Sequence, residues 1–438
     1  MTIPTSRRFI HAIPGLPGIA LALGIAASCP AQEAPNAGST VTKEDRILSL
    51  PYGFWNESFG LAAAYVYAVN GFPQPQASVL GTVMVGSAGS AMGFFMGRDI
   101  QVFGIQRLFL DPIASLGYYS NAHAYINGNP QYAGQEAGAN GSDPNNYVTG
   151  DGPDNYLRLR FKYLLPIGHG REQVIPEYQL QHGLLEAGET GGTSWNPLTS
   201  GRTFVEVRPF YRSQTIHGDE VNTALTTNGA DFSIMWDNRD FPADPSHGNA
   251  LTLRTSRDFG EFNSSGSWTA LIGEYDHYIP LGARPGFRQR TLAFDVWAAD
   301  SPSWHQSPDG TITGRPPPYA GATLGGLWRM RAYPAQRFSD KAAIYYSAEL
   351  RLIPEWNLFD SLPGLQQWVG VQWMQFVGFV EAGRVAPHWN LSELHSSMQW
   401  DAGLGLRLWA KGLVVRLDTA LSNEGVGVQM MVSQPFQF

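Results

Sequence analysis

Apolar and charged residues alternate with a period of two along much of the chain, which predicts β-strands with one apolar face and one charged face. Between residues 157 and 163, Leu, Leu, Phe and Tyr occupy the odd positions, and Arg, Arg and Lys occupy the even ones. The same spacing recurs at residues 205–212, 344–352 and 398–408. About sixteen such segments follow one another from Phe59 to Phe438, an even number as bacterial barrels require. The pattern is weakest from Ala77 to Ile126, where glycines blur the strands.

A soluble β-sandwich also alternates in this way, but two features favour a membrane barrel. Opposite charges share one strand face, as Arg416 and Asp418 do, which suits a water-filled lumen. Aromatic residues cluster at predicted strand ends, as interfacial girdles require, namely at Trp236, Phe241, Trp297, Trp304, Trp328, Trp356 and Trp409. The sequence therefore predicts an all-β transmembrane antiparallel barrel of about sixteen strands.

Composition excludes several other classes of protein. The chain has 37 acidic and 29 basic residues and a net charge of −8, so it lacks the basic excess of a nucleic-acid-binding protein. Its mean hydropathy of −0.19 is too low for a bundle of membrane-spanning helices. Aromatic residues make up 12% of the chain, which is unlike a disordered segment.

The amino terminus has the pattern of a secretory signal peptide. Arg7 and Arg8 precede an apolar stretch rich in small residues, and Cys29 and Ala31 offer a small-x-small cleavage site. We predict a signal peptide at residues 1–31, a periplasmic linker at 32–50 and a barrel at 51–438. Cys29 is the only cysteine; it is either lipidated or removed with the signal peptide, and removal leaves no thiol chemistry.

Three motifs occur in a defined order before a terminal aromatic segment. The first is Asp237-Asn238-Arg239-Asp240, followed by Pro245 and Gly248, and the second is Arg331-Ala332-Tyr333 in a long inter-strand segment. The third is Phe379-Val380-Glu381-Ala382-Gly383. The chain then ends with Phe436 and Phe438, like the terminal insertion signal of outer-membrane barrels.

Together these motifs resemble the bacterial surface antigen family, which includes the barrels of BamA, TamA and the two-partner secretion transporters. The resemblance implies that an extracellular loop between strands eleven and twelve folds into the lumen, where Arg331 contacts Glu381. It also implies a periplasmic turn at Asp237 to Gly248, between strands eight and nine. The family glycine is Ala332 here, so a positive φ at that residue would be strained. The family aspartate is Glu381, which keeps the charge.

The predicted linker is too short for POTRA domains, so the resemblance is to the POTRA-less barrels of the family. It implies an integral outer-membrane protein that helps to insert or translocate outer-membrane proteins. Its partners would be outer-membrane lipid, unfolded barrel clients and a separate periplasmic or lipoprotein partner. In such barrels the first and last strands pair weakly and template a client strand, and Gly425, Gly427 and Pro435 in the last segment fit a weak seam.

The alternative function is a passive, anion-preferring channel or a structural barrel without assembly activity. Five predicted lumen arginines would then select anions, namely Arg158, Arg160, Arg208, Arg254 and Arg407. No motif of a catalytic triad, a metalloprotease or a phosphate-binding loop is present, so we predict no enzyme activity, no cofactor and no metal.

A polar insertion runs from Asn127 to Asn155 and includes Asp143, Asn145 and Asp151. Oxygen ligands at alternate positions can hold calcium, but Asn, Asp and Gly also simply favour turns, and turn formation is the preferred interpretation. On the strand count this insertion is predicted to face the periplasm, where it could serve as a docking loop.

Overall fold

The computed structural model describes residues 47–56, 58–218 and 221–432. The predicted signal peptide and the aromatic residues Phe436 and Phe438 lie outside these residues. The described chain contains sixteen long strands, which we number in chain order. They are β1 Ile47–Asn56, β2 Gly60–Asn70, β3 Ser78–Gly86, β4 Ala91–Arg98, β5 Leu108–Ala124, β6 Val148–Leu164, β7 Arg202–His217, β8 Asn222–Arg239, β9 Gly248–Asp258, β10 Trp268–Pro280, β11 Phe287–Asp300, β12 Ala342–Pro354, β13 Val371–Ala386, β14 Gln399–Ala410, β15 Leu413–Ser422 and β16 Gly425–Val432.

Each long strand pairs antiparallel with the next, so the sixteen strands form one meandering sheet. Strand β4 is continued by Ile100–Gln101 beyond Asp99, whose φ is 51°. The predicted number of strands is therefore confirmed. Strand β1 begins at Ile47, inside the segment predicted as linker.

The two ends of the sheet meet without a shared ladder. Within the described residues no hydrogen-bonded pairing joins β1 to β16. Contact is made instead by Asn70 at the end of β2, whose Nδ2 donates to the backbone oxygen of Lys411 at 2.5 Å. Leu413 of β15 also packs against the apolar cluster that contains Leu48 of β1. The barrel thus has a seam between β1 and β16.

Burial along the strands is the reverse of that in a soluble protein. In β6, Arg160 and Lys162 are 7% and 8% exposed, whereas Leu157 and Tyr163 are 45% and 42% exposed. Charged side chains therefore face the interior and apolar side chains face outward, as expected for a barrel whose outer surface contacts lipid. Neither described helix, Pro363–Val369 or Leu391–Leu394, is long and apolar enough to cross a membrane.

Strands β1 to β4 carry mainly apolar side chains on both of their faces. From residue 47 to residue 97 the only charged residue is Glu57. Apolar and charged residues cannot alternate where both faces are apolar. For this reason the strand pattern is weak in the part of this region that begins at Ala77. The strands form nevertheless, since β-branched and aromatic residues favour them.

The long connections between strands are divided between the two ends of the barrel. One end, which we call the latch end, carries the connections at residues 125–147, 301–341 and 387–398. The other, the turn end, carries the start of β1, the end of β16 and the connections at 165–201, 240–247 and 355–370.

One prediction about these ends is wrong. The polar insertion after Asn127 was predicted to lie at the periplasmic end, opposite the long loop that contains Arg331. It follows β5, and a connection from an odd to an even strand lies at the same end as residues 301–341. Arg337 of that loop donates to the hydroxyl of Ser142 at 2.8 Å. The insertion therefore packs on the long loop at the latch end.

The lipid-facing surface can be tested at Leu404, which lies in the middle of β14 and is 73% exposed. We expect Leu404→Arg to lower the free energy of unfolding in phospholipid vesicles by about 2–4 kcal/mol, the cost of a cation near the bilayer midplane. Leu391→Arg, at an exposed position of the 387–398 connection, should cost no more than about 1 kcal/mol. Equal small losses in a urea titration would indicate a soluble β-protein.

A loop latch in the barrel lumen

Three carboxylates surround the guanidinium group of Arg331. Its Nε lies 3.0 Å from Glu381 Oε1, Nη2 lies 2.9 Å from Glu349 Oε1, and Nη1 lies 2.7 Å from Asp418 Oδ2. The backbone N–H of Arg331 also donates to Glu381 Oε2 at 2.6 Å. The structure thus brings Arg331 and Glu381 together and adds Glu349 and Asp418, which the sequence analysis missed. We call residues 325–337 the latch.

The third sequence motif lies on the wall that faces the latch. Phe379, Glu381 and Gly383 occupy every second position of β13 and so point into the lumen. The Phe379 ring centroid lies 3.5 Å from Arg331 Cζ, which is a cation–π contact. A Cβ on Gly383 would lie 2.8 Å from the Leu324 side chain and 3.3 Å from Met330 Sδ. The motif therefore supplies an aromatic ring, a carboxylate and, at Gly383, the space that the side chains of Leu324 and Met330 occupy.

Ala332 does not adopt the strained positive φ that its place in the motif suggested. The left-handed residues of the latch are Met330, at φ 56°, Gln336, at φ 61°, and two glycines, whereas Ala332 has no positive φ. The N–H of Ala332 donates to Asp401 Oδ2 at 3.1 Å. A left-handed residue thus lies two positions before the one that the motif suggested.

Two further latch residues fix the loop to the neighbouring strands. Tyr333 donates its hydroxyl to Asn423 Oδ1 at 2.8 Å. Arg337, which is fully buried, donates to Glu424 through Nε at 2.7 Å and Nη2 at 2.8 Å. Both acceptors lie in the two-residue connection between β15 and β16. The bidentate pair of Arg337 is a strong, directional contact that the sequence analysis did not assign.

Glycines allow the latch to approach the last strands. A Cβ on Gly427 of β16 would lie 2.3 Å from the backbone oxygen of Arg331 and 2.7 Å from Ala332 Cα. A Cβ on Gly403 would lie 2.4 Å from the Phe379 ring, and one on Gly405 would lie 2.3 Å from Asp418 Oδ1. These strand glycines are thus sites of close approach, whereas the sequence suggested only that Gly427 weakens the seam.

The motif Asp237 to Gly248 forms a compact turn at the other end of the barrel. Arg239 donates to both carboxylate oxygens of Asp237, through Nε at 2.7 Å and Nη2 at 2.8 Å. Asp240 Oδ1 accepts the next residue's backbone N–H at 2.8 Å. Gly248 has a φ of 100°, and a Cβ there would lie 2.1 Å from the backbone oxygen of Asn238. The motif residues therefore shape this turn and lie apart from the latch.

Residues 165–201 extend across the turn end of the lumen, a feature that the sequence analysis missed. The segment leaves β6, forms the hairpin Gln179–Gln181 and Leu184–Ala187, and returns to β7. Trp373 of β13 donates its indole N–H to the backbone oxygen of Gly183 at 3.1 Å, and Leu184 packs in a cluster with Trp409 of β14. Because β7 and β14 lie on roughly opposite sides of the barrel, this hairpin crosses the lumen. We call residues 165–201 the plug.

The lumen arginines considered for an anion channel are largely paired. Arg160 lies 2.5 Å from Glu206, Arg208 lies 3.2 Å from Asp231, and Arg407 lies 2.8 Å from Glu349. Three of the five arginines thus have a carboxylate partner, although Glu349 is shared with Arg331 and Arg351. Paired charges and a plugged lumen give the channel alternative little support.

In the polar insertion, the side chain of Asp143 accepts hydrogen bonds that stabilise a turn. Asp143 Oδ1 accepts the backbone N–H of Asn145 at 2.8 Å and the hydroxyl of Tyr132 at 3.2 Å. Among the described residues, no group of three or more His, Cys, Asp and Glu side chains is placed to hold a metal ion.

Comparison with known proteins gives similarity only at the level of structure. No protein-family model and no curated protein matches the sequence. CdiB from Escherichia coli superposes with a TM-score of 0.51 at 11% identity, over 88% of this chain and 61% of that chain. CdiB from Acinetobacter baumannii gives a TM-score of 0.49 at 10% identity, over 89% and 60%. BamA from Haemophilus ducreyi lacking POTRA domains 1–3 gives 0.41 at 10% identity, over 88% and 68%.

The chain has a barrel fold like that of CdiB from Escherichia coli. The resemblance inferred from the sequence motifs is thus confirmed at the level of the fold. The chain spans about three fifths of the length of each of the two CdiB chains.

The packing of the latch in this CdiB-like barrel can be tested with a single methyl group at Gly427. We expect Gly427→Ala to push the Arg331 carbonyl away from β16 and to lower the free energy of unfolding by about 1–3 kcal/mol, as overpacking does. Limited proteolysis of the folded barrel should then cut within residues 325–337. Gly378→Ala is the matched control, since no heavy atom lies within 4 Å of a Cβ there. Equal resistance of both variants would contradict the close packing of the latch.

The long loop should also respond to pH through Asp340. Burial raises the pKa of this carboxyl to about 6, above its ordinary value, so the folded loop favours the protonated form. Its contribution to stability is present below about pH 4 and is lost as the pH rises through about 6. We expect hydrogen exchange of residues 301–341, corrected for intrinsic rates, to show greater protection at pH 5 than at pH 7.5.

The control for this pH effect lies in the same loop. Asp340→Asn should abolish the difference in protection, whereas Asp309→Asn, at an exposed carboxyl, should keep it. A difference that survives Asp340→Asn would assign the pH dependence to another group.

Proposed function

We propose that this barrel resides in the outer membrane and assists the insertion or translocation of outer-membrane proteins, with a separate periplasmic partner. The observation that carries the proposal is the position of the latch beside an unpaired seam. The latch contacts β13, β14, β15 and β16, and β16 shares no described ladder with β1.

An unpaired strand edge is a template for another strand. The backbone groups along such an edge can bond to an incoming chain by β-augmentation. In this barrel the edge of β16 is supported from inside, because Gln429 Nε2 donates to the Arg331 carbonyl at 3.2 Å. The latch therefore holds one side of the seam in a fixed position, where a client strand would add to it.

A lateral route also agrees with the plug. A polypeptide that passed along the lumen would have to displace both the plug and the latch, with their buried contacts. A client that enters at the seam displaces neither. The partner is expected to deliver unfolded clients at the turn end, where β1 begins and β16 ends.

The test combines a cellular and a reconstituted measurement. Quantitative proteomics of outer membranes should show selective loss of other barrel proteins when this gene is removed. In vesicles the wild-type barrel should accelerate the assembly of an unfolded barrel client. We expect Arg331→Gln to slow that assembly at least about tenfold, because three carboxylates lose a buried partner and the latch is released.

Two further variants separate function from folding. Gly427→Ala removes no charged group but displaces the latch. It should therefore also slow client assembly, and it provides the test if Arg331→Gln fails to fold. Arg384→Gln removes an arginine whose Nη2 lies 3.9 Å from Glu393, away from the latch, and should behave as the wild type. An unchanged set of outer-membrane barrels, with altered solute permeability, would overturn the proposal in favour of a channel.

A further inference from the structure

The inner face of β1 to β4 is an apolar surface inside an otherwise charged lumen. Strand register places Leu50, Val66 and Phe94 in one row across β1, β2 and β4, with Thr82 of β3 between the last two. Met84, Met92 and Met96 point to the same side from β3 and β4. We call the inward-facing side chains of β1–β4 the inner wall.

Polar groups on the inner wall satisfy one another. Away from its two rims, the wall has two hydroxyl groups, those of Tyr52 and Thr82, whose oxygens lie 2.9 Å apart in a hydrogen bond. No carboxylate or cation of β1–β4 faces the lumen before Arg98, at the turn end. The sulfur of Met92 accepts a hydrogen bond from the hydroxyl of Tyr119 of β5 at 3.1 Å. The described part of the wall is therefore apolar apart from these two contacts.

The inner wall is only half covered by protein. Leu50, Phe94 and the three methionines are half-buried, whereas Leu48 and Leu80 near the turn end are fully buried. An apolar surface that stays open in this way is a binding surface for something apolar. Methionine suits such a surface, since its flexible and polarisable side chain adapts to ligands of irregular shape.

The surface that faces lipid continues into the inner wall around the edge of β1. On the outside of β2, Leu61 and Tyr65 are 69% and 45% exposed, as lipid-facing residues are. Strand β1 itself has no described ladder on its other side. On the outer face, the Ser49 hydroxyl of β1 is hydrogen-bonded to Tyr65. An apolar chain that passed around the edge of β1 would then meet Leu50 and Val66 on the inner face.

The opposite side of the lumen provides a contrast. Met235 of β8 faces inward like Met84, but the Arg160 guanidinium lies 3.3 Å from its sulfur. The inward positions of β13 to β15 carry the carboxylates that hold the latch, and the latch itself lies against Gly427 and Gln429 of β16. An acyl chain would therefore find no open apolar surface there.

We propose that the inner wall binds the acyl chain of a phospholipid, which enters the barrel between β1 and β16. The headgroup stays at the membrane surface, and the chain lies against Phe94 and the methionines. This lipid site goes beyond the proposed function and does not depend on it, because a barrel without assembly activity would bind lipid in the same way.

Site-specific fluorescence quenching tests the proposal in the full-length barrel. In a Cys29→Ser background, a bimane label is placed by Met84→Cys on the inner wall, by Val83→Cys on the lipid face and by Met235→Cys on the charged lumen face. The barrels are reconstituted in vesicles whose phosphatidylcholine carries bromine atoms on its acyl chains. We expect a loss of fluorescence at position 84 comparable to that at 83, and little loss at 235.

A second variant links the quenching to the wall itself. Leu50→Glu places a carboxylate beside the proposed chain and should reduce quenching at position 84 to the level at 235, while leaving quenching at 83 unchanged. If the label at 84 is instead quenched only by a water-soluble iodide, or by neither agent, the inner wall does not hold lipid and the proposal is wrong. Client assembly is measured separately in the same vesicles, so failure of either proposal is seen on its own.

Discussion

The lumen of this barrel is organised around a buried positive charge that needs partners. A guanidinium group removed from water is strongly destabilising unless carboxylates surround it with good geometry. Arg331 meets Glu349, Glu381 and Asp418 at 2.7–3.0 Å, each from a different strand. Because β12, β13 and β15 all supply a ligand to one side chain, the loop and this side of the barrel form a single unit.

This unit makes the two sides of the seam unlike each other. On one side, the latch supports β16 through Gly427 and through the pair between Arg337 and Glu424. On the other side, β1 is held by β2 and by an apolar cluster. The difference follows from side-chain chemistry, since ion pairs fix a geometry that apolar contacts leave adjustable.

Much of this architecture could be predicted from the sequence, and the failures have physical reasons. Alternation gave the number of strands because charged residues face the lumen in most of the strands from β6 to β15, and it faded from Ala77 to Ile126, where β3 and β4 carry no charge before Arg98. Spacing placed Glu381 on the same face as Phe379, but no motif marks Glu349 or Asp418, whose roles depend on which strands lie beside the latch. The plug was missed for the same reason, since its contacts with Trp373 and Trp409 depend on closure of the barrel.

The apolar character of β1 to β4 also bears on how the chain survives before it folds. Between residues 47 and 97, one charged residue, Glu57, interrupts a succession of strand-forming segments, and residues 79–85 contain neither a charge nor a proline. Segments with this composition readily pair with copies of themselves when they are exposed to water. Until these strands find their neighbours, they are prone to aggregate, and a holding chaperone would have to cover them.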